Sequence, residues 1–324
     1  MLLSVVIPIY KTEPFIERCI RSVCKQTLEN FQIILVDDCS PDDAMNKARG
    51  ILQEYPSRYE NTIFISLDKN GGLPNARKVA LAKAEGEYIA SLDSDDYMEE
   101  DALELMLNKI QSENADILVS DYYFSMKKKD IYIPQFCSDS PDDFIKRLFL
   151  ADLQGFWWNK LFSKKLLDKI EILTDIHMQE DVLVSFQAGL IANKIAYLPK
   201  ALVHYVQYNA NSMTKNYTDK SIQDLLFVEE FISEQLKKKD IYSKFLPYLN
   251  YRRLLTKSDI ITFTSLERRR AYFSLFNGDE YGLLPVDKVL PFYKKIFLKF
   301  AEVNFYFGVN LLLYVRKLLW IIRS

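Results

Sequence analysis

Along the first ninety residues, apolar runs and amphipathic stretches take turns. Leu3 to Ile9 is an apolar run rich in β-branched residues, the composition of a strand. Phe15, Ile16, Cys19, Ile20, Val23 and Cys24 then recur at the spacing of one helical face, with Thr12 placed to cap that helix and Pro14 in its permissive first turn. Phe31 to Val36 predicts a second strand, and Pro41-Asp42-Asp43 opens a second helix running to about Tyr55. Ile63 to Leu67 follows as a strand, Leu73 to Ala84 as an alanine-rich helix ended by Gly86, and Tyr88 to Leu92 as a fourth strand. A further pair, Asp101 to Glu113 and Asp116 to Tyr123, repeats the helix-then-strand order. Such alternation with short links implies right-handed crossovers and an α/β fold, a mostly parallel sheet flanked by helices. Ligands of such sheets bind beyond the carboxyl ends of the strands, where Tyr10, Asp38, Asn70 and Asp93 all fall.

The alternation loosens after this. Residues 124–215 mix short segments with the aromatic stretch Phe156-Trp157-Trp158-Asn159-Lys160 and a helix start at Gln179-Glu180-Asp181, and from Asp219 the pattern is helical. Three regions are expected, 1–120, 121–215 and 216–324, the last a helical C-terminal region.

An apolar content of 49% and a charged content of 27% over 324 residues describe a globular protein with an ample core. The net charge of −2 gives no sign of a nucleic-acid binder. The cysteines, Cys19, Cys24, Cys39 and Cys137, form no Cys-x-x-Cys pair, so free thiols in a reducing, cytoplasmic compartment are expected. His177 and His204 are the two histidines, too few for a histidine-rich metal site or a serine-hydrolase relay beside other uses. After Met1 the chain enters a strand without a basic leader, so no signal peptide is expected. The charge is uneven: Lys288 to Ser324 carries seven Lys or Arg and one Glu, a net +6, which leaves −8 on residues 1–287.

The densest chemistry is Asp93-Ser94-Asp95-Asp96, an Asp-x-Asp motif directly after the fourth strand. In extended chain, residues two apart point to the same side, so Asp93 and Asp95 can converge. Converging carboxylates repel unless a proton or cation lies between them, and Mn²⁺ or Mg²⁺ commonly bridges such acids to substrate phosphates. The alternative is that Asp and Ser turn the chain and cap the next helix. The dinucleotide fingerprint is missing. The first strand-to-helix turn, Pro8-Ile9-Tyr10-Lys11-Thr12, has no glycine, and no phosphate-loop lysine motif occurs. A metal at Asp93 and Asp95, helped by Arg77, is the remaining way to hold a diphosphate.

Val5-Val6-Ile7-Pro8-Ile9-Tyr10, Val36-Asp37-Asp38-Cys39-Ser40, Asn70-Gly71-Gly72 with Ala76-Arg77, and Gly86-Glu87-Tyr88-Ile89 leading to Leu92-Asp93-Ser94-Asp95-Asp96 form an ordered set over about 115 residues. This set resembles family 2 glycosyltransferases, inverting enzymes with the Rossmann-like GT-A fold. Weaker similarity runs through Trp158-Asn159-Lys160-Leu161-Phe162 and Glu180-Asp181 to His204-Tyr205 and Ser212, as in bacterial members that build surface polysaccharides. The resemblance implies that residues 1–120 are the nucleotide-sugar-binding half and 121–215 the acceptor-side half. It implies that Asp38 accepts the uracil N3–H, that Pro8 and Tyr10 line the base pocket with Glu13 close by, and that Arg77 positions the nucleotide. Asp95 would ligate the metal, Asp93 would bind ribose or metal-bound water, and Asp181 would be the general base. For Glu13, Glu180 and Asp181 an acid favoured in a first helical turn is the competing reading, and His177 is a rival base. Cys39 departs from the usual glycine of the family, and Lys78 from a frequent asparagine.

Trp158, with Asn159 and Lys160 beside it, is expected to face the acceptor, although core packing is the commoner fate of a Trp pair. The partners implied are a UDP-sugar donor and a glycan or lipid-linked glycan acceptor. The basic, aromatic tail from Pro291 to Ser324 has 13 residues in its longest uncharged run, Val303 to Val315, short of the ~20 that span a bilayer. It suits a helix lying on an anionic membrane surface, with Trp320, Arg316, Lys317 and Arg323 at headgroup level, and equally a helix packed on the domain or at a dimer seam. Two other functions compete: a glycan-binding module on a degenerate fold, which predicts lost carboxylates, and a sugar-phosphate nucleotidyltransferase, which needs a glycine-rich basic loop after the first strand.

Overall fold

The computed structural model describes residues 1–209, 218–264, 267, 290–303 and 305–323. Two compact units divide the chain: Met1–Leu148 with Asp152–Asn211, and Phe149–Ala151 with Ser212–Ser324.

The first unit runs β1 (Leu3–Ile9), α1 (Ile16–Cys24), β2 (Gln32–Asp37), α2 (Ala44–Gln53), α3 (Pro56–Glu60), β3 (Thr62–Ser66), α4 (Leu73–Leu81), β4 (Tyr88–Ser91), β5 (Tyr97–Met98), α5 (Ala102–Glu113), β6 (Ile117–Ser125), β7 (Asp130–Ile133), α6 (Pro141–Leu150), β8 (Lys160–Ser163), α7 (Lys164–Leu167), α8 (Glu180–Ile191) and β9 (Ile195–Val206). Among the described residues, nine strands form one sheet in the order β3-β2-β1-β4-β8-β6-β9-β5, with β7 pairing β6.

The parallel order read from the alternation holds across β3-β2-β1-β4. All seven residues of β1 are buried, as expected of a strand covered by helices on both faces. Beyond β4 the sheet is mixed. β8 runs antiparallel to both β4 and β6, and β6 is parallel to β9. Four residues of β8, ending an aromatic stretch, carry no period that distinguishes them from a loop. Because β8 is antiparallel, its start lies at the edge where β4 ends.

Helix α1 buries Ile16, Cys19, Ile20, Val23 and Cys24, the face its spacing predicts. Its start differs from the expectation. Phe15 is the N-cap, and the Thr12 hydroxyl donates to Ser94 Oγ at 2.9 Å instead of capping the helix. At the amino end of the sheet, Gly86 abuts β1 so closely that an added Cβ would lie 2.5 Å from Ser4 N and 2.6 Å from Leu3 C. Gly86 N–H donates to Ser4 Oγ, which donates to Gln32 Oε1, pinning β4 to β1 and β2.

The second unit holds α9 (Asp219–Lys238), α10 (Tyr242–Phe263), α11 (Phe292–Glu302) and α12 (Tyr306–Arg323). Thr218 and Ser221 form a reciprocal capping box that starts α9. Tyr251, Leu254, Ile261, Phe297, Leu298, Ala301, Tyr306 and Val309 make its apolar core.

Replacing Gly86 by alanine is expected to lower stability by about 1–3 kcal/mol, since backbone atoms cannot yield to the new methyl. Gly50, inside α2 with nothing within 4 Å of an added Cβ, is the control. Gly50→Ala should raise stability by about 0.5–1 kcal/mol. Urea unfolding of both variants measures the contrast.

Candidate active site

The loops at the carboxyl ends of β1, β2 and β4 are tied to one another. Lys11 N–H donates to Ser40 Oγ at 2.8 Å, joining the first loop to the second, and Thr12 joins the first to Ser94. Cys39 adopts φ +55°, the left-handed region that glycine enters most easily, and Asp37 Oδ1 accepts Ser40 N–H to close this turn. That conformation gives a physical reason for a glycine at this position in similar chains.

Asp38 is almost fully buried, and both its carboxylate oxygens are engaged: Oδ1 accepts Gly71 N–H and Oδ2 accepts Gly72 N–H, each at 2.8 Å. Asp38 therefore orders the loop before α4. Gly72 sits at φ +81°, and an added Cβ would lie 2.5 Å from His177 Cε1. His177 thus packs on the loop that Asp38 holds. Pro8 is buried in β1 opposite Val36, while Tyr10 is exposed at the strand end with Lys11 Nζ 5.0 Å from its ring centre. Glu13 is used on α2. Its Oε2 accepts Asp43 N–H and its Oε1 pairs with Lys47 at 2.6 Å, a contact that holds its carboxyl below the usual range.

Arg77, on α4, is the hub. Its side chain is 3% exposed, Nη2 contacts Asp93 Oδ1 at 2.8 Å and Nη1 contacts Glu180 Oε1 at 2.8 Å. The Trp157 ring lies 5.3 Å from the guanidinium carbon. One planar cation therefore joins the acid loop after β4 to the first turn of α8. The neighbouring acid, Asp181, has Oδ1 accepting Val182 N–H at 2.7 Å. Burial pushes the Asp181 carboxyl above the usual carboxylate range, opposed by Arg77, the Val182 N–H and the Lys160 charge. Burial likewise raises Glu180, with the Asp181 charge adding to it and Arg77 opposing.

The acid loop is pinned from several sides. Cys19 Sγ approaches Asp93 O at 3.8 Å, Asp95 Oδ2 accepts from Asn209 Nδ2 at 2.8 Å, and Asp96 Oδ1 accepts Val206 N–H at 2.8 Å. Burial and the nearby Asp93 charge raise the Asp95 carboxyl. A cation beside it would relieve both effects, and hard carboxylate oxygens suit Mn²⁺ or Mg²⁺. Among the described residues, no three His, Cys, Asp or Glu side chains gather as a metal cage. A cation held by Asp95 and Asp93 would complete its shell from substrate oxygens and water.

Trp158, Asn159 and Lys160 need correction. The Trp158 ring is buried against Tyr122, Phe156 and Tyr205, with no face left for an acceptor. Asn159 Nδ2 donates to Ser120 O, locking β8 to β6. Lys160 is 0% exposed, and its Nζ donates to Gln154 O, Phe156 O and Asn159 Oδ1. The reason is topological: this stretch leads directly into a central strand. Ser212 lies outside the described residues. Sequence reasoning also passed over Thr12 as a link between loops, Glu180 as a partner of Arg77, and Asn209, which meets Asp95 from 114 positions away.

Acidic loops at the carboxyl end of a parallel half-sheet, facing a helix that begins with two acids, are the frame of a GT-A glycosyltransferase. The chain belongs to glycosyl transferase family 2, whose model matches residues 4–177. It is 30% identical over 236 residues to EpsH of Bacillus subtilis (strain 168), named as a glycosyltransferase, covering 70% of this chain and 67% of that protein. It is 34% identical over 202 residues to the poly(ribitol-phosphate) beta-glucosyltransferase of Bacillus spizizenii (strain ATCC 23059 / NRRL B-14472 / W23), covering 60% of this chain and 31% of the relative. The match thus spans about two thirds of one relative and under one third of the other. The crystal structure of S. aureus TarS 1-349 in complex with UDP-GlcNAc superposes with a TM-score of 0.65 at 22% identity, covering 95% of this chain and 92% of that one.

Removing Arg77 leaves the half-buried Asp93 and Glu180 carboxylates without the cation between them. Arg77→Ala is expected to cost about 3–5 kcal/mol of stability in denaturant unfolding. Arg77→Lys should recover little, because a point charge cannot make the two-pronged bridge.

Proposed function

We propose that this glycosyltransferase moves a sugar, with inversion at the anomeric carbon, from a UDP-sugar to a hydroxyl of a glycan or lipid-linked glycan during synthesis of a cell-surface polysaccharide. The observation that carries the reading is the Arg77 bridge. It sets Asp93, on the donor side, within one guanidinium of Glu180 and hence beside Asp181. A neighbour solved with UDP-GlcNAc supports the donor class, and a relative named for glucosylating poly(ribitol-phosphate) supports a polymer acceptor.

Asp181 takes the proton from the acceptor hydroxyl as that oxygen attacks the anomeric carbon. Arg77 fixes the distance between this base and the donor-side acids. Asp38, by holding the Gly71 and Gly72 N–H groups, shapes the nucleotide loop, and its remaining lone pairs accept the uracil N3–H. Pro8 and Tyr10 flank the base. Asp95 and Asp93 would hold Mn²⁺ or Mg²⁺, which would supply Lewis-acid stabilisation of the leaving diphosphate.

The second unit supports attachment to the inner face of the plasma membrane. Phe292, Val303, Phe307, Leu311 and Tyr314 are exposed, and Lys295 and Lys299 lie exposed on the same helix as Phe292. No helix among the described residues is long and apolar enough to cross a membrane, so this segment would lie on anionic lipid. The side chains of Arg316, Lys317, Trp320 and Arg323, assigned to the headgroup level, lie outside the described residues.

Isothermal titration should show UDP binding more tightly than GDP, CDP or ADP, with Mn²⁺ strengthening it and Asp95→Asn removing the metal effect. Tighter binding of another nucleotide overturns the donor assignment. Asp181→Asn should lower kcat by about 10²–10⁴-fold. Because the Asp181 carboxyl is raised, the ionised base is lost on acidification sooner than an ordinary Asp, so kcat/KM should fall as pH drops while still above 3.8. Full-length protein should co-sediment with vesicles containing anionic lipid and not with zwitterionic ones, and the double change Phe307→Glu, Leu311→Glu should abolish this.

A further inference from the structure

Lys160 is a buried cation with no carboxylate at ion-pair distance among the described residues. Its three acceptors, Gln154 O at 2.6 Å, Phe156 O at 2.7 Å and Asn159 Oδ1 at 2.9 Å, call for three N–H donors, which only the ammonium form has. Two of these acceptors flank Gly155. That glycine is packed on the first turn of α8: an added Cβ would lie 2.7 Å from Val182 Cγ2, 2.8 Å from Val182 Cα and 3.0 Å from Val182 N. Gly155 O also accepts from Ser185 Oγ at 2.7 Å, fixing the loop to the second turn of the same helix. Val182 N–H is the donor that holds Asp181 Oδ1. A chain of contacts thus runs from the Lys160 ammonium, through the 154–156 loop, to the residue that orients Asp181.

We propose that Lys160 is a positioning residue for Asp181: it clamps the loop that seats the start of α8 and brings a positive charge near the base. The proposal rests on Asp181 being the base of the reaction. An apolar residue at 160 could fill the space but could not gather two loop carbonyls, nor favour an ionised carboxylate nearby. The charged groups that act on Asp181 are Arg77 from α4, Lys160 from β8, Asp93 after β4 and Glu180 beside it; those acting on Lys160 are Asp181 and the buried Cys137 thiol. Burial pulls the Lys160 ammonium down to about 7, and the Asp181 charge resists that pull. The two groups therefore stabilise each other's charged forms.

The test uses the full-length protein labelled with ¹³Cγ aspartate, with the Asp181 resonance assigned by its absence in Asp181→Asn. Lys160→Gln, which keeps a donor but loses the charge, should move the Asp181 titration midpoint to higher pH. Lys160→Arg should leave it near the parent value. Amide hydrogen exchange over Val182 to Ser185 should accelerate in Lys160→Gln. A folded Lys160→Gln protein with unchanged midpoint and unchanged exchange overturns the proposal. If that variant does not fold, Gly155→Ala decides: faster exchange over Val182 to Ser185 supports the seat, and unchanged exchange overturns it. Neither readout needs turnover. A failure of the base assignment, seen as full activity in Asp181→Asn, is therefore distinguishable from a failure of the Lys160 proposal.

Discussion

Like charges drawn out of water repel strongly, and this constraint governs the mouth of the first unit. Asp95, Asp96, Glu180 and Asp181 all lie close enough to feel the charge of Asp93, and burial raises the carboxyls of all four. The Arg77 guanidinium, gripped by Asp93 and Glu180 at once, opposes that rise at Glu180 and Asp181, and Arg18 opposes it at Asp95 and Asp96. Around it the chain spends hydrogen bonds on holding acids in place: Val206 N–H on Asp96, Asn209 on Asp95, Val182 N–H on Asp181. A site built this way is short of positive charge. That shortage fits a substrate bringing a cation with its diphosphate better than a bare anion.

The sheet divides the labour. Its parallel half, β3-β2-β1-β4, is built around the fully buried β1, and the loops at its carboxyl ends lean on each other through Lys11, Ser40, Thr12 and Ser94. Its mixed half carries α8 and closes the molecule around β8, a strand of four residues. Asp93 and Asp95 come from the first half, and Glu180 and Asp181, at the start of α8, from the second. A single side chain, Arg77, keeps them in register.

The parallel half was legible because its strands are apolar runs, its helices show one clean face, and its acids fall at strand ends. Asp93, Asp95, Arg77 and Asp38 could therefore be placed before any coordinates. What each acid touches could not. Asp38 holds two backbone N–H groups and Glu13 pairs with Lys47, contacts that depend on loop geometry and leave no periodic trace. Trp158, Asn159 and Lys160 misled because polar residues beside an aromatic usually mean a surface, whereas here every polar atom of the Lys160 head is consumed inside. Nothing local marks Asn209 as the neighbour of Asp95. Such a pairing becomes visible only once β9 is threaded beside β6.

The late arrival of β8 bears on how the chain comes into being. β4 pairs with β1 on one side, but its other side waits for residues about seventy positions downstream. At about 5–20 residues per second of synthesis, that edge stands open for about 4–14 s on the ribosome. During that interval a short, apolar strand with unpaired N–H and C=O groups is available to any neighbouring nascent chain. Fragments cut near residue 120 would lack β8 and so hold that edge of β4 open permanently.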